Sequence, residues 1–162
     1  LFLMISATFT SVIISSYEDA LAANLVLSSF IPMLMDTGGN SGSQSSATII
    51  RGLSLGEIRY ADVPRVIFKE SAVAMLCGFT LAATNFVKLM LVDHVTMLVA
   101  AVVCLTLVVV VLVSNVVGGT LPILAKRLGF DPTVMASPLI TTIVDAVALI
   151  IYFNIAKVLL HL

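Results

Sequence analysis

The stretch Met33-Leu34-Met35-Asp36-Thr37-Gly38-Gly39-Asn40-Ser41-Gly42-Ser43-Gln44-Ser45-Ser46 decides how this chain is read. It holds one acid, one Asn, one Gln, four Ser and three Gly, yet an oily run precedes it and another follows it. Three readings are open. Asp36-Thr37-Gly38 has the form of the active-site triplet of an aspartic protease; the stretch could instead line a path for water and ions; or it could be a loop. The surroundings narrow the choice. The chain has 162 residues, 60% hydrophobic and 10% charged, with a mean hydropathy of +1.17. A soluble domain carries about 25% charged residues. There is too little polar surface here to coat a water-soluble globule, so the class is an all-α integral membrane protein. The net charge of −1 comes with no basic patch and no RNA-binding motif, which excludes nucleic acid as a partner. Cys77 and Cys104 lie in apolar runs without metal-type spacing and read as buried free thiols. His94 and His161 stand apart from acids at ligand spacing, which argues against a histidine metal site.

Working outward from the stretch, five hydrophobic segments emerge: residues 1–16, 21–50, 70–92, 95–124 and 133–160. Residues 95–117 contain no charge and easily cross a hydrocarbon core of roughly 30 Å at about 1.5 Å per residue. Backbone groups cannot stay unpaired in lipid, so the segments are predicted as helices. Runs such as residues 105–113 lack the alternation of a barrel strand. The first run is short for a span, has no initiator Met, and lacks the flank and cleavage site of a signal peptide. The expectation is that residues 1–162 form a transmembrane domain cut from a larger protein.

Arg51, Arg59, Arg65 and Lys69 cluster between the second and third segments, and Lys126 and Arg127 between the fourth and fifth. Both clusters fall on one side of a five-span protein. The other side carries Lys88, Lys157, Glu18, Asp19 and Asp93. The positive-inside rule then puts the basic loops and the N-terminus in the cytoplasm and the C-terminus outside. The loop over residues 51–69 reads either as partly helical along the membrane surface or as an ordinary connector.

Two acids sit away from segment ends. Asp145 is nearly central in the fifth span, and Asp36 is deep in the second. An Asp at the centre of a membrane helix costs roughly 2.5–3.5 kcal/mol on insertion scales. Such residues usually face a bundle interior or a water-filled cavity on an ion path. The plainer role, a buried acid tying helices together, stays open for both. Ser137, Thr141 and Thr142 before Asp145, and Ala148 and Tyr152 after it, share one helical face with it, apart from Ile140, Ile143, Val147 and Ile151. Pro138 adds a break that frees a carbonyl. In the second segment Asp36, Asn40 and Ser43 share a face, while Ser41, Gly42 and Ser45 cover the others. Its second half must therefore be enclosed by protein or line water. Gly38, Gly39 and Gly42 permit close helix approach. Asn115, Gly118, Gly119 and Pro122 repeat the theme in the fourth segment. Carboxylate, hydroxyl, amide and carbonyl oxygens dominate this set, and hard divalent cations prefer oxygen. Soft-metal sites would want Cys or His. The residues point to a divalent cation path without separating magnesium from manganese or calcium.

The pattern Pro32, Gly38-Gly39-Asn40-x-Gly42-x-Gln44-x-x-Ala47-Thr48 and Arg51-Gly52 resembles the second membrane helix of the MgtE family of magnesium transporters and channels. The stretch Gly118-x-x-Leu121-Pro122, Lys126, Gly129-x-Asp131-Pro132, Ser137-Pro138 and Thr141-Thr142-x-x-Asp145 is similar to that family's fourth and fifth helices. The resemblance covers essentially the whole chain. It implies a homodimer in the cell's inner (plasma) membrane, with five membrane helices per subunit and a pore for hydrated magnesium at the dimer axis. It implies no enzyme activity. The second and fifth helices would line the pore, with Asp36, Gly38, Gly39, Asn40, Ser43 and Thr142 on its wall. The central pore carboxylate falls on Asp145, its backbone-exposing neighbours on Ser137 and Thr141, and a regulatory cytoplasmic magnesium contact on Asp131. A cytoplasmic sensor of CBS repeats would lie upstream. Ala148 stands where a Gly is common, and Ser137 where Asn or Gly is common. These departures put fine selectivity in doubt. Against this reading stand a proton- or sodium-coupled secondary transporter with Asp145 as the carrier, and, more remotely, an intramembrane aspartyl protease. The protease would need two carboxylates sharing a proton about 3 Å apart.

Overall fold

The computed structural model describes residues 2–133 and 138–161, and every regular element among them is helical. In chain order these are α1 (Phe2–Ser15), α2 (Glu18–Ala23), a 3-10 segment (Leu25–Phe30), α3 (Ile31–Ser54), a 3-10 turn (Tyr60–Asp62), α4 (Val63–Leu91), α5 (Met97–Arg127) and α6 (Pro138–Leu160). The helices ending at Leu91, Arg127 and Leu160 are long and apolar enough to cross a membrane. With 24 residues α3 is also long enough, about 36 Å at 1.5 Å per residue. Its polar stretch makes it less apolar than those three. The 14 residues of α1 reach only about 21 Å.

The expected second span, residues 21–50, is not one helix. It unwinds at Leu25–Phe30, and α3 starts at Ile31 with Pro32 in its first turn. Proline suits that position, because the missing N–H would have no partner in the first turn. The tight segment is pinned by Tyr152, whose buried hydroxyl donates to the Leu27 carbonyl at 2.9 Å. The third helix starts at Val63 rather than near residue 70, again with a proline in its first turn. No surface helix fills the basic loop. Instead Glu57 and Ile58 both donate their backbone N–H to the Gly52 carbonyl, at 3.0 and 3.2 Å. The Asp62 carboxylate then accepts from the Arg59 backbone N–H at 2.8 Å. The connector is a compact turn because its own backbone groups find partners within it.

At the centre, α5 packs against α3, α4 and α6, and α3 also packs along α6. It opens on Thr96, whose hydroxyl accepts from the Val99 N–H at 3.4 Å, and it continues through Pro122 to Arg127. One core, built on Leu27, Phe30, Leu34, Leu89, Leu107 and Phe153, fills the end away from the basic loops. A smaller one of Ile49, Leu53, Val66 and Ile123 fills the other end. Lipid is as apolar as these side chains, so close backbone approach matters more than apolar burial in holding such helices together. Gly118 of α5 meets Gly42 of α3 so closely that a Cβ at Gly118 would fall 2.1 Å from the Gly42 carbonyl oxygen. Phe68, Leu76, Phe79 and Cys77 are exposed on α4, the surface a membrane helix offers to lipid. Cys77 is thus on the outside of the bundle, contrary to the buried thiol expected.

Candidate functional site

The orientation of α3 sorts its polar residues into three groups. Gly38 and Gly42 face inward: added Cβ atoms would sit 2.8 Å from Val110 and 2.9 Å from Val144 at Gly38, and 3.1 Å from Ile140 at Gly42. Ser41 and Ser45 face α5. The Ser41 hydroxyl donates to the Asn115 side-chain oxygen, and the Ser45 hydroxyl donates to the Asn115 carbonyl at 3.0 Å. The third group, Pro32, Asp36, Asn40, Gln44, Thr48 and Arg51, is exposed. Its members recur mainly at four-residue spacing and form one open stripe along the helix. No neighbouring helix of the described chain covers this stripe.

Asp145 meets the edge of the stripe. A Cβ at Gly39 would lie 3.3 Å from the Thr141 Cγ2 and 3.8 Å from the Asp145 Oδ1. The absence of a side chain at residue 39 leaves room between α3 and the Thr141 and Asp145 side chains. A cavity of about 160 Å³ lies there, lined by Met35, Asp36, Gly39, Asn40, Thr141 and Asp145. At about 30 Å³ per water this is room for roughly five waters. A wider recess of about 460 Å³ opens on another side of Asp145, toward Thr10, Ser11 and Ser15 of α1. Reading the sequence alone missed these three hydroxyls. Their spacing along a short apolar run was the available signal.

The remaining expected residues are placed as follows. The hydroxyls of Thr141 and Thr142 donate to the Pro138 carbonyl at 3.1 and 2.7 Å, and the Thr141 oxygen keeps lone pairs that can accept. The described part of α6 begins at Pro138, so the expected break there falls at the edge of the described residues. Ser137 lies outside the described residues. Ser43 is half-buried, and its hydroxyl has no hydrogen-bond partner among the described residues. Gly38 is buried in helix packing. Ala148 and Tyr152, expected to share the face of Asp145, are 1% and 0% exposed. Both are packed into the core instead, because the first turns of α6 follow the open side while its later turns lie under the 3-10 segment. Asp131 is exposed on the loop after α5 and is absent from the Asp145 cavity. The Thr133 hydroxyl and N–H donate to it at 2.7 and 2.9 Å and hold its carboxyl below the usual carboxylate range. Among the described residues no group of three or more His, Cys, Asp or Glu gathers as a metal cage. The described chain therefore offers two carboxylates, Asp36 and Asp145, on one small cavity. That suits an ion held partly through water rather than one stripped of it.

A third acid inside the bundle was missed. Glu70 reads as the edge of a span, but it lies within α4 and is 7% exposed. The buried residues Val66, Glu70, Ala74, Gly78 and Ala82 recur every four positions. That stripe was legible in the sequence.

The profile of a family described as "MgtE: Divalent cation transporter" matches residues 31–155. Among curated proteins, the chain is similar to "Magnesium transporter MgtE" of Thermus thermophilus. The two are 38% identical over 159 residues, which is 98% of this chain and 35% of that protein. It is also similar to the proteins of the same name from Bacillus subtilis, at 34% over 92% of this chain and 33% of that protein, and from Enterococcus faecalis, at 31% over 94% and 33%. The chain spans about a third of the length of these relatives.

Proposed function

This chain belongs to the MgtE family of divalent cation transporters, and from that premise we propose that it forms the membrane pore of a magnesium pathway, working as a homodimer with Asp145 as its central carboxylate. One observation carries the reading. The open stripe of Asp36, Asn40 and Gln44 on α3 runs past the Asp36–Asp145 cavity, and no element of the described chain covers it. A carboxylate and two amides cannot face hydrocarbon cheaply. A second subunit related by a two-fold axis, the commonest oligomer symmetry, would enclose the stripe and double the carboxylates.

In such a pore the ion keeps several of its waters, as magnesium does where it can. Asp145 and its symmetry mate hold the hydrated ion through water and set the charge that favours a dication. The hydroxyl of Thr141 adds an oxygen on the same face, and Ser137 is the further oxygen that the family resemblance assigns. Asn40 and Gln44 orient water along the wall, while Gly39 keeps the path open beside the carboxylate. Gly38 and Gly42 serve the wall from behind by letting α3 lie tight on α5 and α6. Asp131 takes a regulatory cytoplasmic magnesium, at the end where the basic loops place the cytoplasm.

The test is magnesium flux into liposomes, with magnesium titration, on Asp145→Asn and Asp36→Asn beside the parent. Asp145→Asn keeps shape and removes charge, so flux and binding fall steeply while folding and dimerisation survive. Asp36→Asn costs less. Unchanged magnesium flux in Asp145→Asn overturns the site. A monomeric mass in lipid with flux retained overturns the dimer.

A further inference from the structure

A wide cavity lies away from Asp145, at the other end of α3. It encloses about 580 Å³ between the last turns of α3, the compact connector and the first turns of α4. Three cations line it: Arg51 from α3, and Arg65 and Lys69 from α4. Arg65 and Lys69 are four residues apart and share one helix face. None of the three makes a hydrogen bond or an ion pair through its side chain among the described residues. Glu57, Asp62 and Glu70 line the same cavity. Asp62 is occupied by the Arg59 backbone N–H.

Glu70 is the unusual member. It is 7% exposed, yet its carboxylate has no hydrogen-bond or ion-pair partner among the described residues. Its stem packs on α5, where a Cβ at Gly119 would lie 3.0 Å from the Glu70 Cγ. Glu70 is not among the buried polar atoms that lack a partner, so its carboxylate opens on the cavity and takes its donor from whatever fills it. Ile49, Ile58 and Val66 supply apolar wall. Phe68, next to Lys69 on α4, is 78% exposed and adds apolar surface beside the basic lining.

We propose that this cavity holds the headgroup of an aminophospholipid of the phosphoethanolamine type, with its phosphate on Arg51, Arg65 and Lys69 and its ammonium on Glu70. This goes beyond the transport reading and stands without it. Charge-assisted bonds from Arg and Lys fit a phosphate. A free phosphate would satisfy the cations and leave Glu70 with no positive donor. A metal ion is disfavoured because three cations surround the cavity and no cluster of metal-type ligands forms there. A choline headgroup has no N–H to give Glu70. The basic side chains lie where a membrane protein meets the headgroups, and the apolar wall receives the glycerol end.

The experiment is native mass spectrometry of the delipidated protein, titrated with phosphatidylethanolamine, phosphatidylcholine and phosphatidylglycerol. Ethanolamine lipid is expected to be retained at least about tenfold better than choline lipid, the fold-change from one charge-assisted hydrogen bond. Glu70→Gln removes that preference and leaves phosphatidylglycerol retention unchanged. Arg65→Ala and Lys69→Ala each weaken all three lipids. Lys88→Ala, at the opposite end of α4, changes nothing. Equal retention of the ethanolamine and choline lipids overturns the proposal, as does an ethanolamine preference that survives Glu70→Gln. Displacement of lipid by millimolar inorganic phosphate would make this a free-phosphate site and overturn the lipid assignment. If Glu70→Gln does not fold by circular dichroism, Lys69→Ala decides, and lipid retention unchanged in that variant overturns the proposal.

Discussion

Substituting Gly118 by Ala tests the central claim about packing, that α3 and α5 are held at backbone contact. The new Cβ would meet the Gly42 carbonyl oxygen at 2.1 Å, its carbonyl carbon at 2.8 Å and its Cα at 3.0 Å. Carbon–oxygen contacts between packed helices settle near 3.3 Å, so the two axes must part by about 1.2 Å. The obstacle is backbone, and no rotamer change relieves it. A shift of α3 also stretches the bond from Ser45 to the Asn115 carbonyl, which is already 3.0 Å long. Overpacking of this kind costs about 1–3 kcal/mol, and a lost hydrogen bond about 1 kcal/mol more. The better helix propensity of Ala returns about 1 kcal/mol. The net is a destabilisation of about 1–3 kcal/mol, which at about 2–4 °C per kcal/mol for a chain this size lowers Tm by roughly 2–12 °C. The comparison is Gly78→Ala on α4, where the added atom would sit 3.3 Å from the Val108 Cα and a small adjustment suffices. There the gain in helix propensity offsets the crowding, and Tm is expected to stay level or rise. Thermal melts of both variants in detergent, followed by circular dichroism, read the result. A Gly118→Ala melt equal to the parent, or an equal loss at Gly78→Ala, refutes the claim of backbone contact.

Three further outcomes are expected. Tyr152→Phe leaves the buried Leu27 carbonyl without its 2.9 Å donor; it should cost about 1–3 kcal/mol, and faster amide exchange across Leu25–Phe30 would mark the site of the loss. Lys126→Met removes the 2.9 Å bond from the ammonium to the Leu53 carbonyl at the C-terminal end of α3; a loss of about 0.3–1 kcal/mol, reduced by salt, is expected in the same melts. Thr133→Val takes away one of the two donors that hold the Asp131 carboxyl below its usual range. The depressed value means that this bonding is present above the ordinary carboxylate pKa and is lost as pH falls through the lower folded one. The variant should therefore titrate at higher pH than the parent by carboxyl NMR, and an unchanged midpoint would rule out the side-chain bond.

Much of the fold was legible because lipid leaves the backbone one choice. Residues 97–127 and 138–160 are so apolar that helices are the only way to pair their N–H and C=O groups, and α5 stands close to its predicted bounds. Asp36 and Asp145 stood out for the same reason, as charges in runs where charge is costly, and the structure brings both to one small cavity. The residue pattern that resembled the MgtE family lies largely within residues 31–155, where the family profile matches.

Rotation about each helix axis was not legible. Gly38 and Gly39 are neighbours with the same chemistry, yet Gly38 is buried against Val110 and Val144 while Gly39 faces Thr141 and Asp145. One residue turns a helix by about 100°, and which glycine meets which partner depends on side chains of α5 and α6 more than 70 positions away. Periodicity likewise put Ala148 and Tyr152 beside Asp145, but packing under the 3-10 segment took both into the core. Glu70 looked like a charge at the rim of a span until α4 proved to begin at Val63. Composition and hydropathy determine that these helices exist and that they cross lipid. The faces they present are decided only by the fit of one helix against another.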